Sequence, residues 1–394
     1  MTELRDVHLI DAVRTPFGKY RGALSSIRTD DLAATAIMAL MARHPGLDPA
    51  RIEDVYFGNA NGAGEDNRNV ARMASLLAGL PVTVPGVTLN RLCASGAEAI
   101  IAGGRAVATG DADLVLAGGV EGMSRAPYVL AKPDEALPRS MELHQTTVGW
   151  RMVNPKFPRE WTASLGACAQ DVATELRIGR DEQDEWAARS HQRVAAAYAA
   201  GKHEGFVVPV GDLAVDECLR PGSTVASLGT LKPAFSPEGS VTAGNSSPLS
   251  DGALAAFVGT RHTASVLGVE PFGQVVASAT VGTDPHRFSV APVGAIAKVL
   301  GRVGLSHADV DLWEINEAFA AMVLSTLHLM PPVDRERVNV NGGAIAIGHP
   351  LGASAPRVVV DLCRELNRRG GGVGVAAACV GVGLGQAVVV RVDA

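Results

Sequence analysis

The chain contains an internal repeat, and this repeat constrains its fold more than any other feature. Three segments between residues 36 and 122 are followed, in the same order, by three similar segments between residues 295 and 385. The pairs are 36–59 with 295–316, 87–99 with 338–353, and 112–122 with 373–385. Both members of the first pair read as an amphipathic helix, a Gly-Leu stop, a turn and a short apolar strand that ends in Asn. The pattern predicts two homologous halves, and its alternation of short strands with helices favours mostly parallel sheets covered by helices.

A stretch of different character separates the halves, at roughly residues 121–250. It is rich in Pro, Trp, His and Met, contains a long helical pattern at 181–200, and ends in a segment dense in Pro, Gly and Ser. An irregular insertion on a regular scaffold usually carries binding and specificity. We therefore predict an N-terminal half over 1–120 that is completed by 251–268, a loop domain over 121–250, and a C-terminal half over 269–394.

Composition narrows the classes to which the chain can belong. Hydrophobic residues make up 47% of the 394 residues and charged residues 19%, so much surface must be buried within the chain or between subunits. The net charge of −6 provides no electrostatic footprint for nucleic acid. No uncharged apolar run approaches the length of a membrane-spanning helix, and the first residues carry charges where a signal peptide needs an apolar stretch.

The five cysteines are widely spaced and form no Cys-x-x-Cys pair. We therefore expect no disulfide framework, no metal site and a reduced, cytoplasmic setting. Cys93 differs from the others because it lies between an apolar run and a helical pattern of small residues. A thiol at a helix N-terminus ionises easily, whereas a free cysteine is more often part of a core. This segment alone leaves both interpretations open.

Three further residues have a structural interpretation beside a chemical one. Cys379 lies among small residues at a predicted strand end, which is typical of tight packing. His349 precedes a helix in a Gly-rich turn and could merely cap that corner, and Asn316 could be an ordinary N-cap. The repeat favours the chemical interpretation, because it relates the corner of Cys93 to that of His349 and places Cys379 at a corresponding strand end.

If the halves pack about a pseudo-twofold axis, both corners and both strand ends converge. The site would then hold a thiol at a helix N-terminus, an imidazole that takes its proton, and a second thiol among backbone N–H groups. Such a set suits a thiolate nucleophile that accepts an acyl group, with a separate acid/base for a carbon acid. Gly381 and Gly383 would let backbone amides approach a developing oxyanion.

In these residues, and from end to end, the chain resembles the thiolases (acetyl-CoA acyltransferases). The matching segments are "RTPFGK", "LNRLCASG", "GGVEGMSRAP", "LKPAF", "VTAGNSSPLSDGA", "EINEAFAA", "VNVNGGAIAIGHPLGAS" and "CVGVGLGQA". The resemblance implies an α/β thiolase fold, with two αβ halves in a five-layered αβαβα arrangement and an inserted loop domain. It also implies thiolytic cleavage of a 3-ketoacyl-CoA by coenzyme A, through an acyl-cysteine intermediate and without a permanently bound cofactor.

The resemblance also implies catalytic roles. Cys93 would be the acylated nucleophile, His349 would activate it and help to bind the thioester oxygen, and Cys379 would move the proton at the α-carbon of acetyl-CoA. Asn316 would hold a water that completes one oxyanion hole. The backbone N–H groups of Cys93 and Gly381 would form the second.

The family places coenzyme A along the insertion. Arg220 resembles the residue on or near the adenine, with a solvated loop charge as the alternative interpretation. Ser227 and Ser247 resemble residues that line the pantetheine, and Ala318 and Phe319 would wall the thioester pocket. The implied partners are acyl-CoA, coenzyme A and further copies of the chain in a homodimer or homotetramer, with no nucleic acid and no membrane.

Within the family, residues 118–155 resemble the 3-oxoadipyl-CoA (β-ketoadipyl-CoA) thiolases and other degradative 3-ketoacyl-CoA thiolases. An acyl chain that ends in a carboxylate needs a cationic or hydrogen-bonding partner, which Arg151 or Lys156 could supply. Short-chain biosynthetic thiolases carry a His-Met pair where this chain has Ser164 and Leu165. That difference argues against a strict acetoacetyl-CoA enzyme.

Three alternatives stay open beside the degradative enzyme. The first is a biosynthetic acetoacetyl-CoA thiolase. A decarboxylating ketoacyl synthase shares the fold but pairs its cysteine with two histidines, whereas this chain offers two cysteines and one histidine. A non-catalytic scaffold would be expected to lose some of Cys93, Asn316, His349 and Cys379, and all four are present.

Overall fold

A computed structural model describes residues 4–393 of the chain. Within this range lie twelve strands and eleven α-helices, joined by several short 3₁₀ turns. The strands are β1 (His8–Arg14), β2 (Gly18–Lys19), β3 (Asp54–Gly58), β4 (Val87–Leu89), β5 (Leu114–Gly122), β6 (Tyr128–Leu130), β7 (Leu143–Gln145), β8 (Ser250–Gly259), β9 (Gly273–Gly282), β10 (Leu312–Ile315), β11 (Gly372–Val380) and β12 (Leu384–Val392). The helices are α1 (Thr29–Ala42), α2 (Val70–Leu77), α3 (Ser95–Thr109), α4 (Leu165–Glu175), α5 (Arg180–Ala199), α6 (Val225–Gly229), α7 (Arg261–Val266), α8 (Ala291–Val303), α9 (Ala320–Leu329), α10 (Ala344–Ile347) and α11 (Leu351–Arg368).

The order of the strands repeats the internal symmetry of the sequence. One continuous sheet runs β10-β11-β12-β9-β1-β8-β5-β3-β4, with β2 paired to β8. Its seam is the short contact between β1 and β9, and on either side of it β8 matches β12, β5 matches β11, and β3 matches β10. Even the outer strand has a counterpart, because β4 pairs in parallel with β3 and Val338 bridges Trp313 of β10 in parallel.

The prediction of mostly parallel sheets was wrong. Only β3 with β4, β3 with β5, and β10 with β11 pair in parallel, and the other neighbours run antiparallel. The reason is clearest at β12, which follows β11 after three residues and must therefore return antiparallel to it. In the N-terminal half, β8 likewise pairs antiparallel with β5, but the two strands are connected by the whole insertion instead of a three-residue turn.

Three apolar cores separate five layers. In one core the helices α1 and α2 pack on the N-terminal part of the sheet. In a second core the helices α8 and α9 pack on the C-terminal part of the sheet. The third surrounds α3 and α11, which form the middle layer and contact each other. This is the predicted αβαβα arrangement. The domain limits proposed from the sequence remain predictions.

Glycines let the two central helices approach each other and the sheet. A Cβ atom at Gly96 of α3 would overlap the carbonyl oxygen of Gly352 in α11, and one at Gly352 would overlap the Val120 carbonyl oxygen of β5. A Cβ at Gly58, the last residue of β3, would overlap the backbone where α3 begins. The N-termini of both helices are therefore brought to the ends of β3 and β5.

The insertion consists of the hairpin β6–β7, the helices α4, α5 and α6, and long irregular connections. A fully buried ion pair joins it to the N-terminal half, since both guanidinium NH₂ groups of Arg14 donate to the Asp216 carboxylate at 2.7 and 2.8 Å. Tyr198 of α5 donates its hydroxyl to the same carboxylate at 2.8 Å. No helix within residues 4–393 is long and apolar enough to cross a membrane.

Candidate active site

Cys93 lies in a tight turn at the start of α3. A single 3₁₀ turn, Leu92–Ala94, leads into the helix, and Leu92 adopts a left-handed φ of 48°. Ser95 braces the corner: its hydroxyl accepts from the Arg91 N–H at 2.9 Å and donates to the Leu92 carbonyl at 2.6 Å. Strained backbone that its surroundings hold in place is common at functional sites. The turn packs against β11 and the start of α11.

The Cys93 sulfur faces the hairpin turn after β11. The N–H groups of Gly381 and of Cys93 itself lie near Sγ and favour its charged form. Val382 and Gly383 complete this turn with φ values of 56° and 71°. The structure therefore brings together the two N–H groups that the resemblance assigns to one oxyanion hole.

Burial governs the ionisation of both thiols at this site. It raises the pKa of Cys93 to about 11, although the Gly381 N–H opposes the change. It also raises the pKa of Cys379, and the nearby Cys93 adds to that increase. The position of Cys93 at a helix N-terminus therefore does not make it ionise easily, because loss of hydration outweighs the local N–H donors. Both residues rest as thiols at neutral pH.

His349 is held in a defined tautomer just before α11. The Ser354 hydroxyl donates to the Pro350 carbonyl at 2.9 Å, so its oxygen accepts from Nδ1–H of His349 at 2.6 Å. Nε2 then carries the lone pair of the imidazole. Burial, with a smaller contribution from Arg357, lowers the pKa of His349 to about 4. The imidazole is neutral at pH 7 and available as a base.

Asn316 joins β10 to the same site. Its N–H donates to the Ala377 carbonyl at 2.8 Å, and its amide nitrogen lies 3.5 Å from Nε2 of His349. Its side-chain oxygen is buried and has no hydrogen-bond partner within residues 4–393. Such an atom is unusual and is suited to a polar group of a substrate or a water.

Glu121 is a buried residue of this region that the sequence analysis missed. It lies near the end of β5, at the position that corresponds to Cys379 near the end of β11. Its carboxylate accepts from the N–H groups of Ala60 at 3.0 Å, Asn61 at 3.1 Å and Gly352 at 3.0 Å. Burial raises its pKa to about 8 against these donors. It ties the loop after β3 to the first turn of α11.

Ser354 is the second residue that was missed. It lies within the segment "VNVNGGAIAIGHPLGAS", five residues after His349, but nothing in the pattern indicates its contact with the imidazole. The same is true of Glu121, whose three donors come from two distant segments. The sequence pattern of a helix start could have indicated only that the turns before α3 and α11 cap a helix or bind an anion.

The residues assigned to the pantetheine thioester form one wall. Ser247 donates both its N–H and its hydroxyl to the Ala318 carbonyl, at 3.0 and 3.1 Å. Phe319 follows at the start of α9 and makes edge-on contacts with Phe235 and Phe288, with ring centres 6.0 and 6.5 Å apart. Ser247, Ala318 and Phe319 are therefore neighbours.

Arg220 and Ser227 lie on the exposed face of the insertion. Ser227 belongs to the first turn of α6, where its hydroxyl and that of Thr224 form a reciprocal capping box. Leu228 of this helix packs over Gly244, close to the segment of Ser247. The N–H of Arg220 donates to Nδ1 of His191 at 3.2 Å, which leaves the guanidinium in solvent. A structural capping role and a solvated loop charge thus remain alternatives for these two residues.

The other cysteines are packing residues. Cys168, Cys218 and Cys363 are all buried and free. Cys168 lies 3.5 Å from Nδ1 of His286, whose Nε2 lies 3.0 Å from Asp171, but the thiol is only 2% exposed and burial raises its pKa. Within residues 4–393 no group of three or more His, Cys, Asp or Glu side chains is placed to hold a metal ion.

A buried thiol with N–H groups near its sulfur, in a turn that packs against the helix preceded by a neutral imidazole, suits an acyltransferase that forms a thioester with its substrate. The chain belongs to the thiolase family. Residues 7–262 match the model of the thiolase N-terminal domain, and residues 269–392 match that of the C-terminal domain. The predicted family, fold and acyltransferase class are confirmed.

Similar proteins cover the chain almost completely. It is 47% identical to a "Beta-ketoadipyl-CoA thiolase" of Pseudomonas knackmussii, over 98% of this chain and 99% of that one. It is 46% identical to a "3-oxoadipyl-CoA/3-oxo-5,6-dehydrosuberyl-CoA thiolase" of Escherichia coli K12, over 98% and 100%. Among solved structures, human mitochondrial 3-ketoacyl-CoA thiolase in complex with CoA matches with a TM-score of 0.91 and 34% identity, over 100% of both chains.

Proposed function

We propose that this thiolase cleaves 3-oxoadipyl-CoA, or a closely related 3-ketoacyl-CoA with a terminal carboxylate, by thiolysis with coenzyme A. The products would be acetyl-CoA and a shortened acyl-CoA. The observation that carries the chemistry is the buried Cys93 sulfur beside the Gly381 N–H, in a site with a neutral imidazole and a second thiol. The substrate class is supported by the activity after which the similar proteins are named.

The resting protonation states define the first step. Cys93 begins as a thiol and His349 as a neutral base, so the proton passes from Sγ to Nε2 as the sulfur attacks the 3-keto carbon. The hydrogen bond from Nδ1–H to Ser354 stabilises the imidazolium that forms. The oxyanion at the former keto carbon would accept from the N–H groups of Cys93 and Gly381.

The second step breaks the bond between the α- and β-carbons. The acyl group stays on Cys93, and the electron pair forms the enolate of acetyl-CoA, whose oxygen would be held by Nε2–H of His349 and by a water on Asn316. Cys379 is suited to protonate the α-carbon because burial keeps it a thiol. Its thiolate then takes the proton of the incoming coenzyme A. The sulfur of coenzyme A removes the acyl group, and the His349 proton returns to Cys93.

We propose that coenzyme A binds along the face formed by Arg220, Ser227, Ser247, Ala318 and Phe319. The contact of Ser247 with the Ala318 carbonyl and the aromatic cluster at Phe319 support the inner part of this channel. A solved structure in complex with CoA is among the similar folds.

Arg220→Ala should raise the KM for coenzyme A and leave kcat nearly unchanged. An unchanged KM would instead favour the interpretation of Arg220 as a solvated loop charge.

Thiolysis assays over a panel of 3-ketoacyl-CoAs test the substrate class. Turnover of 3-oxoadipyl-CoA no better than of acetoacetyl-CoA would favour a short-chain biosynthetic enzyme instead. That second candidate is supported by the fold match to an acetyl-CoA acetyltransferase of Bacillus anthracis, at 34% identity over 100% of both chains with a TM-score of 0.91. Ser164 and Leu165, in place of His-Met, argue against it.

Mass spectrometry separates an enzyme from a scaffold. Mixing the protein with acetoacetyl-CoA should leave an acetyl group on Cys93, and a protein without such an adduct would favour the scaffold.

We also propose that the chain works as a homodimer or homotetramer in the cytoplasm. Its five free, reduced cysteines suit that compartment, and light scattering coupled to gel filtration would give the subunit number.

A further inference from the structure

We propose that Arg151 binds the terminal carboxylate of the acyl chain and so selects dicarboxylic substrates. This inference rests on the proposed function and adds the residue that reads the end of the substrate farthest from coenzyme A. Arg151 lies in the insertion, between the hairpin β6–β7 and α4, and its side chain is half-buried.

The neighbouring Trp150 brings this segment to the reactive sulfur. The indole ring lies 3.1 Å from the point where a Cβ atom on Gly381 would stand, and Leu92 lies 3.2 Å from the same point. Gly381 is the residue whose N–H lies near the Cys93 sulfur. The indole N–H points away toward the Ala163 carbonyl at 3.4 Å, so an apolar part of the ring faces the site. Trp150 thus walls the space that an acyl group on Cys93 would occupy.

The Arg151 guanidinium is oriented by a neutral group. Its Nη2 donates to Oδ1 of Asn61 at 3.1 Å. Asn61 is itself fixed, because its amide NH₂ donates to the carbonyl and hydroxyl of Thr146, and its backbone N–H donates to Glu121. The cation is therefore held beside the loop after β3 without losing its charge to a counter-ion.

Arg151 forms no ion pair with any carboxylate in the described chain, residues 4–393. Two other half-buried cations, by contrast, are paired: Arg91, two residues before Cys93, with Glu98 at 2.8 Å, and Arg125 with Glu65. A partly desolvated guanidinium with unused donors favours a carboxylate, which it can bind through two parallel hydrogen bonds. A substrate that brings its own carboxylate supplies the missing partner.

The backbone around Arg151 is held in an uncommon conformation. Gly149 has a φ of 81° and Met152 a φ of 50°, so left-handed residues lie on both sides of the pair Trp150–Arg151. A left-handed methionine costs free energy and persists only where its surroundings enforce it. The conformation turns two adjacent side chains toward the loop of Asn61 and the turn of Gly381.

Lys156, the other cation considered for this role, is exposed and offers a matched control. Its backbone N–H donates to Asn154 at 3.0 Å, and its ammonium group makes no hydrogen bond or ion pair within residues 4–393. Replacing either cation by methionine removes one positive charge from the same segment and keeps a long side chain. A long-range effect of charge alone would therefore appear in both variants.

The experiment measures kcat/KM of the full-length protein and of the Arg151→Met and Lys156→Met variants with two substrates. 3-Oxoadipyl-CoA carries the terminal carboxylate, and 3-oxohexanoyl-CoA has the same carbon number but ends in a methyl group. In Arg151→Met we expect a roughly 10- to 100-fold loss with 3-oxoadipyl-CoA, the usual effect of losing a charged hydrogen bond. The value with 3-oxohexanoyl-CoA should stay the same or rise. Lys156→Met should keep the wild-type ratio, and Arg151→Lys should recover part of it.

Two outcomes would overturn the proposal. An equal loss with both substrates in Arg151→Met would make Arg151 a structural support of the loop, and wild-type values with both substrates would place carboxylate recognition elsewhere. Acylation of Cys93 by 3-oxohexanoyl-CoA, followed by mass spectrometry, monitors the chemistry separately. If the variant still forms the adduct while the ratio is unchanged, only the role of Arg151 fails. If the wild-type protein forms no adduct with either substrate, the proposed function itself fails.

Discussion

At the scale of single residues, the Cys93–His349 pair is neutral before substrate arrives. Burial moves the two pKa values apart, to about 11 for the thiol and about 4 for the imidazole. A preformed thiolate–imidazolium pair is therefore disfavoured, and charge develops only as the sulfur attacks. The N–H donors of Cys93 and Gly381 act at that moment, when charge moves onto the substrate oxygen.

This protonation state predicts the pH dependence of alkylation. In the free protein, the rate of Cys93 modification by iodoacetamide should rise about tenfold for each pH unit between pH 6 and 9, because only the thiolate reacts and its fraction grows in that proportion below the pKa. Peptide mass spectrometry assigns the modified residue, with Cys93→Ala as the blank. A plateau of the rate above about pH 7 would instead show a stable ion pair.

Replacing Ser354 tests the control of the histidine tautomer. Ser354→Ala removes the acceptor of Nδ1–H, so the other tautomer becomes accessible and Nε2 loses part of its function as a base. We expect kcat to fall roughly 10- to 100-fold, part of the usual contribution of a general base, with a small change in KM. Ser325→Ala is the matched control, since that hydroxyl is equally buried and has no partner within residues 4–393. Equal activity of the two variants would remove Ser354 from the mechanism.

Removing the sulfur of Cys93 separates chemistry from folding. Cys93→Ala should abolish acyl transfer, with a loss in kcat of at least about 10⁴-fold as for other nucleophiles that act in a group. The thermal unfolding midpoint should change little, because a small buried side chain is replaced by a slightly smaller one. Residual thiolysis within tenfold of the wild type would assign the nucleophile to another residue.

The sequence predicted those features of this site that follow from the internal repeat. The relation between the two corners predicted that Cys93 and His349 come together, and the structure joins their elements through the contact of α3 with α11. Ser354 and Glu121 could not be predicted, because a buried hydrogen bond between distant segments has no local signature. The raised pKa of Cys93 could not be predicted either, since it depends on burial in the folded chain rather than on the helix terminus.

At the scale of elements, the glycine contacts between the central helices and β5 position both helix N-termini. The repeat predicted the elements themselves, including α1 with β3 and α8 with β10. It did not predict strand direction, because a returning strand and a crossing strand share the same alternation of apolar residues. Direction depends on the length of each connection, and the insertion hides the return of β8.

A pair of glycine substitutions tests this close approach. Gly352→Ala should destabilise the protein by about 1–3 kcal/mol and lower activity, because the added methyl group would overlap the Val120 and Gly58 carbonyl oxygens. Gly301→Ala in α8 has open space around its Cβ and should be neutral or stabilising by up to about 1 kcal/mol. Urea unfolding and kcat of both variants check the prediction. A stable, fully active Gly352→Ala would show that α11 can shift freely.

At the scale of the whole molecule, the buried Arg14–Asp216 pair joins the N-terminal half to the insertion. Both side chains are fully buried. Burial alone would raise the pKa of Asp216, but the Arg14 charge holds this pKa below its usual range. The stabilisation from Asp216 is therefore present above its unfolded pKa and is lost as the pH falls through the lower folded value.

Asp216→Asn keeps the shape of this contact and removes the negative charge. The uncompensated Arg14 cation should cost about 3–5 kcal/mol of the free energy of unfolding, measured by urea denaturation. Arg261→Gln, which breaks an exposed pair with Asp393, should change it by no more than about 0.5 kcal/mol. A similar small effect of both variants would mean that the insertion is held by its apolar contacts alone.

The place of β8 between β1 and β5 has a consequence for how the chain is made. β5 ends at Gly122 and β8 begins at Ser250, so the ribosome must add the whole insertion before the strand that joins β1 to β5 exists. At elongation rates of about 5–20 residues per second, this takes roughly 6–25 seconds. During that time the nascent chain carries two apolar strands with unpaired backbone edges, which are sites for aggregation or for a chaperone. In the C-terminal half the equivalent connection, between β11 and β12, is three residues long, so these two strands can pair almost as soon as they are synthesised.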